Sequence, residues 1–268
     1  MGLLPYTIVV NTSDAYADCW RPFFTLFARY WPHSAARILL NTEAADYSME
    51  GLRVEATRVQ ARAGRRLTWS ECLIACLDQV RTPLVLYLQE DYFLEARVRD
   101  AEVDALAERM CSDPAICHVG LTNFGAVGPF RPTPDPRLWD IARESPYRIS
   151  CQAALWRVDT LRSYLRPDEN GWMFEIYGTR RSRRRNETFL TVNRDRNASA
   201  PLLPYSHAGI IKGQWDRSTP ALFARHEIAM DFSRRGFFVP RPPMLEKLRT
   251  LRKLMARPGK FLQGLRGR

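Results

Sequence analysis

The sequence predicts an α/β protein: a three-layer, mostly parallel sheet with helices on both faces, followed by a basic helical tail. Three observations predict it. Short β-branched runs alternate with helix-length amphipathic stretches through the first half of the chain. The run Pro83-Leu84-Val85-Leu86-Tyr87-Leu88 is apolar throughout, as a strand covered on both faces must be. The early strands then give way to polar residues, at Asn11 to Asp14, Asn41 to Glu43 and Gln89 to Asp91. In open α/β sheets that carboxyl edge is where ligands bind.

Residues 6–10 are β-branched and form the first strand, and the polar turn at 11–14 can cap a helix over 19–30. Trp31-Pro32 breaks that helix, and a second strand covers 36–40. A helix between two strands makes them parallel neighbours. After an irregular segment carrying Gly51 and Gly64, Thr68-Trp69-Ser70-Glu71 has the spacing of a capping box. Cys72, Leu73, Cys76, Leu77 and Val80 give the apolar stripe of the helix that follows, which feeds the strand at 84–88. A helix over 99–110 and a strand over 116–121 continue the alternation. Residues 125–146, with Pro129, Pro132, Pro134 and Pro136, are expected to lack regular structure and to form a functional loop. Residues 148–156 read as a strand and 158–165 as a short helix begun by Asp159 or Thr160. Leu245, Leu248, Leu251, Leu254 and Met255 then stand among lysines and arginines as a basic amphipathic helix. One domain is expected over residues 1–240, with halves at 1–122 and 123–240, and the tail over 241–268.

The 268 residues are 46% hydrophobic, enough for a packed core. A formal charge of +11 points to an anionic partner: nucleotide phosphates, nucleic acid or an anionic membrane surface. No apolar run approaches the roughly 18 residues of a membrane span. Residues 1–10 lack the basic start and long apolar stretch of a signal peptide, so a cytoplasmic location is expected. The six cysteines show no CxxC spacing, which excludes a zinc ribbon and gives no disulfide framework. Cys72 and Cys76, one helical turn apart, are expected as small core residues.

Two adjacent carboxylates, Glu90 and Asp91, follow the apolar strand, where they can hold a hard divalent cation that grips phosphate oxygens. With the first strand ending near Asp14, the segment Ser150 to Trp156 before a helix, and the stretch from Glu169 to Glu175, the layout over residues 6 to 215 resembles GT-A-type glycosyltransferases. The resemblance implies a nucleotide-sugar-binding α/β half that ends in a DxD-type motif and an acceptor half that supplies a carboxylate near a helix start. Gln89-Glu90-Asp91 departs from a strict DxD in its first position, and Asp91 holds the last. The resemblance implies Mn²⁺ or Mg²⁺ on Asp91 and Glu90, with His207 as a late ligand or a structural histidine. It places Asp14 against the nucleoside, where the alternative is a helix cap. Glu175 is the expected general base and Glu169 its rival, with Trp172, Phe174 and Tyr177 as an apolar wall. Arg180, in the arginine-rich run to Arg185, and Lys212 are expected on phosphate groups.

The function expected is metal-dependent, inverting transfer from a nucleotide-sugar donor to a glycan or lipid-linked acceptor in surface polysaccharide synthesis, with the tail against an anionic membrane. The alternatives are a nucleotidyltransferase and a non-enzymatic nucleic-acid-binding protein. The first lacks its glycine-rich, lysine-bearing signature at residues 11–14. The second lacks a motif that interleaves basic runs with stacking aromatics.

Overall fold

The structure, a computed structural model, describes residues 4–32 and 34–240, so the amphipathic helix expected over 244–268 lies outside the described residues. β1 (Tyr6–Asn11) passes through a 3-10 turn (Asp14–Tyr16) into α1 (Ala17–Tyr30) and β2 (Ile38–Asn41). There follow β3 (Val54–Ala56), α2 (Val59–Ala63), α3 (Trp69–Leu77), β4 (Leu84–Gln89), α4 (Asp100–Ser112) and β5 (Ile116–Gly120). The second half contributes β6 (Phe130–Pro132), β7 (Leu138–Ile141), β8 (Ala154–Arg157), α5 (Val158–Tyr164), α6 (Gly171–Ser182), β9 (Thr188–Val192) and α7 (Arg194–Ser199). These belong to a compact unit that ends at His207, and a second unit begins at Ala208.

Among the described residues the strands of the first unit form one nine-stranded sheet in the order β3-β2-β1-β4-β8-β5-β9-β7-β6. β1 is flanked by parallel β2 and β4, and β5 pairs parallel with β9. β8 runs antiparallel between β4 and β5, and β7 antiparallel between β9 and β6. The sheet is therefore mostly parallel with two reversed strands. Alternate residues face opposite layers. Val9, Leu39, Val85 and Tyr87 join Leu73 and Cys76 of α3, Leu161 of α5 and Phe174 of α6 in one core cluster. On the other parity, the Tyr6 hydroxyl donates to Asp104 of α4 at 2.7 Å. Each large apolar side chain removed from water in these layers contributes about 1.5–3 kcal/mol. The capping box at the start of α3 is complete: Thr68 Oγ1 accepts from Glu71 N–H (3.2 Å), and Glu71 Oε2 accepts from Thr68 N–H (2.8 Å). Cys72 and Cys76 are buried on that helix, and all six cysteines are free thiols.

Two sequence expectations need correction. Residues 125–146 do not lack regular structure, because β6 and β7 pair within them as a hairpin at the sheet edge. Pro132 fits there since an outer strand does not need every N–H. The turn is tied by Asp135, which accepts from Arg137 N–H (2.9 Å) and pairs with Arg109 and Arg137. The strand expected over 148–156 begins only at Ala154. Before it, the backbone is satisfied by α6: Ile149 N–H donates to Thr179 Oγ1 (3.1 Å), and Cys151 N–H donates to Glu175 Oε1 (2.8 Å). Side chains one turn apart on a helix have replaced a neighbouring strand.

In the second unit, β10 (Ile210–Ile211) and β11 (Gln214–Trp215) form a hairpin about Lys212 and Gly213. Both turn residues have positive φ, +53° and +82°. Gly213 adopts this at no steric cost. Lys212 is thus a turn residue of this hairpin. α8 (Thr219–Arg225) brings Phe223 against the fully buried Trp215, ring centroids 5.9 Å apart.

Candidate functional site

The carboxyl edge of the parallel strands is built from aligned polar termini. Asn11, Asn41 and Gln89, the last residues of β1, β2 and β4, stand in register as neighbours. Asn41 Nδ2 donates to Asn11 Oδ1 (2.8 Å), and Asn11 Nδ2 donates to the Tyr87 hydroxyl (3.2 Å), which also accepts from Gln89 Nε2 (3.3 Å). Tyr87 is buried, and desolvation pushes its hydroxyl pKa well up, so it stays neutral. A satisfied buried network of this kind holds the strand ends rigid.

Glu90 and Asp91 occupy the turn directly after β4, and both are buried. Next comes Tyr92. Its hydroxyl donates to the Cys151 carbonyl at 2.9 Å, with Gln89 Oε1 at 3.0 Å as the alternative acceptor. The ring of Tyr205 stacks on it, centroids 4.7 Å apart and planes 5° from parallel. Cys151 donates in turn to Glu175. One residue therefore joins the turn carrying the two carboxylates to the carboxylate of α6. Glu175 is half-buried, and desolvation raises its pKa above the ordinary carboxylate value, an effect the Cys151 N–H partly opposes. Its Oε2 has no partner among the described residues. Trp172, one turn earlier on α6, is 38% exposed, whereas Phe174 and Tyr177 are buried in the core. Of the expected aromatic wall, Trp172 presents the open ring.

Glu169 is placed differently. Arg181 grips it bidentately, Nη1 to Oε1 at 2.6 Å and Nη2 to Oε2 at 2.7 Å, and also donates to the Tyr164 carbonyl at 2.7 Å. Both oxygens are engaged, so this carboxylate fastens α6 to the loop before it and is poorly placed as a base. Arg180 lies with its guanidinium 5.8 Å from the Tyr177 ring. Asp14 opens the 3-10 turn and accepts from the backbone N–H groups of Glu43 (2.9 Å), Ala44 (2.8 Å) and Ala45 (2.9 Å), tying the loop after β1 to the loop after β2. His207 is exposed, two residues past Tyr205. Lys212 belongs to the second unit, its Nζ 5.6 Å from the Phe238 ring.

Among the described residues no three His, Cys, Asp or Glu side chains cluster as a metal site. The fit of Mn²⁺ or Mg²⁺ therefore rests on Glu90 and Asp91. Mg²⁺ commonly takes one or two carboxylates and fills its shell with water and substrate phosphates, and two adjacent buried carboxylates suit that donor set. Sequence reasoning missed Asn11, Asn41, Tyr87, Cys151 and Tyr205. The polar strand ends were a usable signal for the amides. Nothing local marks Cys151, whose role belongs to its backbone.

No family model and no curated protein matches the sequence. Among solved structures, S. aureus TarS 1-349 superposes with a TM-score of 0.47 at 11% identity, covering 69% of this chain and 57% of that one. Glucosyl-3-phosphoglycerate synthase from Mycobacterium tuberculosis, in complex with Mn²⁺ and UDP-glucose, gives 0.30 at 15% identity, covering 43% of this chain and 42% of that one. Mannosyl-3-phosphoglycerate synthase from Rubrobacter xylanophilus gives 0.34 at 10% identity, covering 59% and 55%. The chain thus spans little more than half of the TarS fragment. At these scores and identities its own residues have to carry its function.

Proposed function

We propose that the chain is an inverting glycosyltransferase that moves a sugar from a nucleotide-sugar donor to a glycan or lipid-linked acceptor in surface polysaccharide synthesis. The observation that carries this reading is the Cys151 bridge, which couples the turn of Glu90 and Asp91 to a half-buried, partly unpartnered carboxylate at Glu175. Inverting displacement needs a carboxylate to take the acceptor proton opposite the leaving group. Oε2 of Glu175 takes that proton while Oε1 stays on the Cys151 N–H, which fixes the orientation of the carboxyl. Its raised pKa brings the base closer to neutrality and strengthens it. Trp172 offers a ring face to the acceptor sugar. Held by Asp91 and Glu90, a divalent cation would neutralise charge on the departing diphosphate. Asp14, Arg180 and His207 are assigned to the donor side. The catalytic domain is assigned to residues 1–240, and the basic stretch 241–268 to contact with an anionic membrane face.

Calorimetric titration of UDP, GDP and dTDP, with and without Mn²⁺, tests the donor site in wild type and Asp91→Ala. One nucleotide should bind in a Mn²⁺-dependent manner and at least about tenfold more weakly to the variant, a loss of about 1.4 kcal/mol. If none of the three binds wild type, the proposal fails.

A further inference from the structure

The arginine-rich run at the C-terminal end of α6 divides into two kinds of residue. Arg181 and Arg185 are paired with carboxylates, Glu169 and Glu187. Arg183 is exposed and among the described residues donates only to the backbone carbonyl of Glu144, at 3.4 Å. Arg143, also exposed, donates to the neutral side chain of Asn186. Arg131, its side chain 66% exposed, reaches the Glu144 carboxylate only at 3.9 Å. The segments bearing them converge, since Val127 N–H donates to the Pro146 carbonyl (3.0 Å) and Ala142 N–H to the Pro129 carbonyl (3.2 Å). Of the three arginines, Arg131 alone approaches a carboxylate, that of Glu144, while Arg143 and Arg183 meet neutral acceptors.

Tyr147, three residues past Glu144 on the same segment, is 39% exposed and has a φ of +53°. A bulky residue in the left-handed region is strained and persists only where its surroundings impose it. Here the Val127–Pro146 and Ile149–Thr179 hydrogen bonds fix the chain on either side. Val127, 64% exposed, extends the apolar part of the surface. An exposed aromatic ring on a segment that also carries exposed guanidinium groups fits a sugar that carries phosphate: the ring stacks on the sugar face, and the planar guanidinium matches phosphate oxygens bidentately.

We propose that Arg131, Arg143, Arg183 and Tyr147 form an acceptor subsite for a phosphate-bearing glycan. Arg183 caps the C-terminus of α6, eight residues from Glu175, which is about 12 Å at the helical rise. Calling the occupant an acceptor rests on the glycosyltransferase reading; the anion site itself does not.

The test is calorimetric titration of the full chain with a phosphomannan oligosaccharide and with its dephosphorylated form. The phosphorylated form should bind at least tenfold more tightly. Arg143→Gln/Arg183→Gln should remove that preference while leaving nucleotide binding unchanged. Arg62→Gln/Arg66→Gln, which removes the same charge from an exposed segment after β3, should keep it. Equal affinity for the two sugars overturns the proposal, as does equal loss in both double variants. Tighter binding of single-stranded DNA of matched charge, or of anionic phospholipid vesicles, also overturns it, in favour of that partner. Phosphosaccharide binding without any nucleotide binding would keep the anion site and sink the glycosyltransferase reading alone.

Discussion

The two halves of the sheet bring side chains to the site by different means. In the first half, β2, β1 and β4 run parallel and end in register, so backbone pairing brings their last residues together as a row of amides. From β8 to β6 the sheet is mixed, and the segment before β8 leaves it to be held by Glu175 and Thr179 of α6. In the first half, position follows from strand pairing. In the second, a side chain that could act chemically is also a structural partner of the backbone, so structure and chemistry have to be separated by substitution.

The sharpest separation is at Glu175. Glu175→Gln keeps an oxygen for the Cys151 N–H and removes the base, so transfer should fall by about 10²–10⁴-fold with little change in melting temperature. Wild-type activity should be lost as pH falls through the raised pKa of Glu175, because the base must be deprotonated, and that acid limb should vanish in the variant. A variant with wild-type turnover would end the assignment of Glu175. Glu169→Gln should do the reverse. Breaking a pair whose side chains are 12% and 8% exposed costs about 3–5 kcal/mol, read as a lower denaturation midpoint, while the activity of the folded fraction survives. If stability held and turnover fell instead, Glu169 would replace Glu175 as the base. The smallest effect is expected in the parallel half. Tyr87→Phe removes one acceptor from two amide donors and should cost about 1–2 kcal/mol. A much larger loss would show that the amide row, and not backbone pairing, holds the strand ends.

The same division explains what could be read from the sequence. The strand at 84–88 and the two carboxylates after it were visible because burial on both faces demands an uninterrupted apolar run, and the carboxylates mark where that run ends. The capping box at Thr68 and Glu71 was equally plain, being a signal confined to four residues. The β6–β7 hairpin was hidden because prolines that exclude a central strand are tolerated at an edge, and edge position depends on the rest of the sheet. The segment 148–153 looked like a strand because its apolar residues face the core, and its hydrogen-bond partners lie more than twenty residues away.

By itself, then, the chain determined the α/β alternation, the buried central strands, the carboxylates after β4 and a carboxylate in the 169–175 segment, since each follows from local pattern and burial. Only the tertiary structure decided that Arg181 engages Glu169 and leaves Glu175 half-partnered, and that Cys151 links Glu175 to Tyr92. Those are contacts between segments distant in sequence, and no local preference encodes which of two similar carboxylates will meet an arginine and which a backbone N–H.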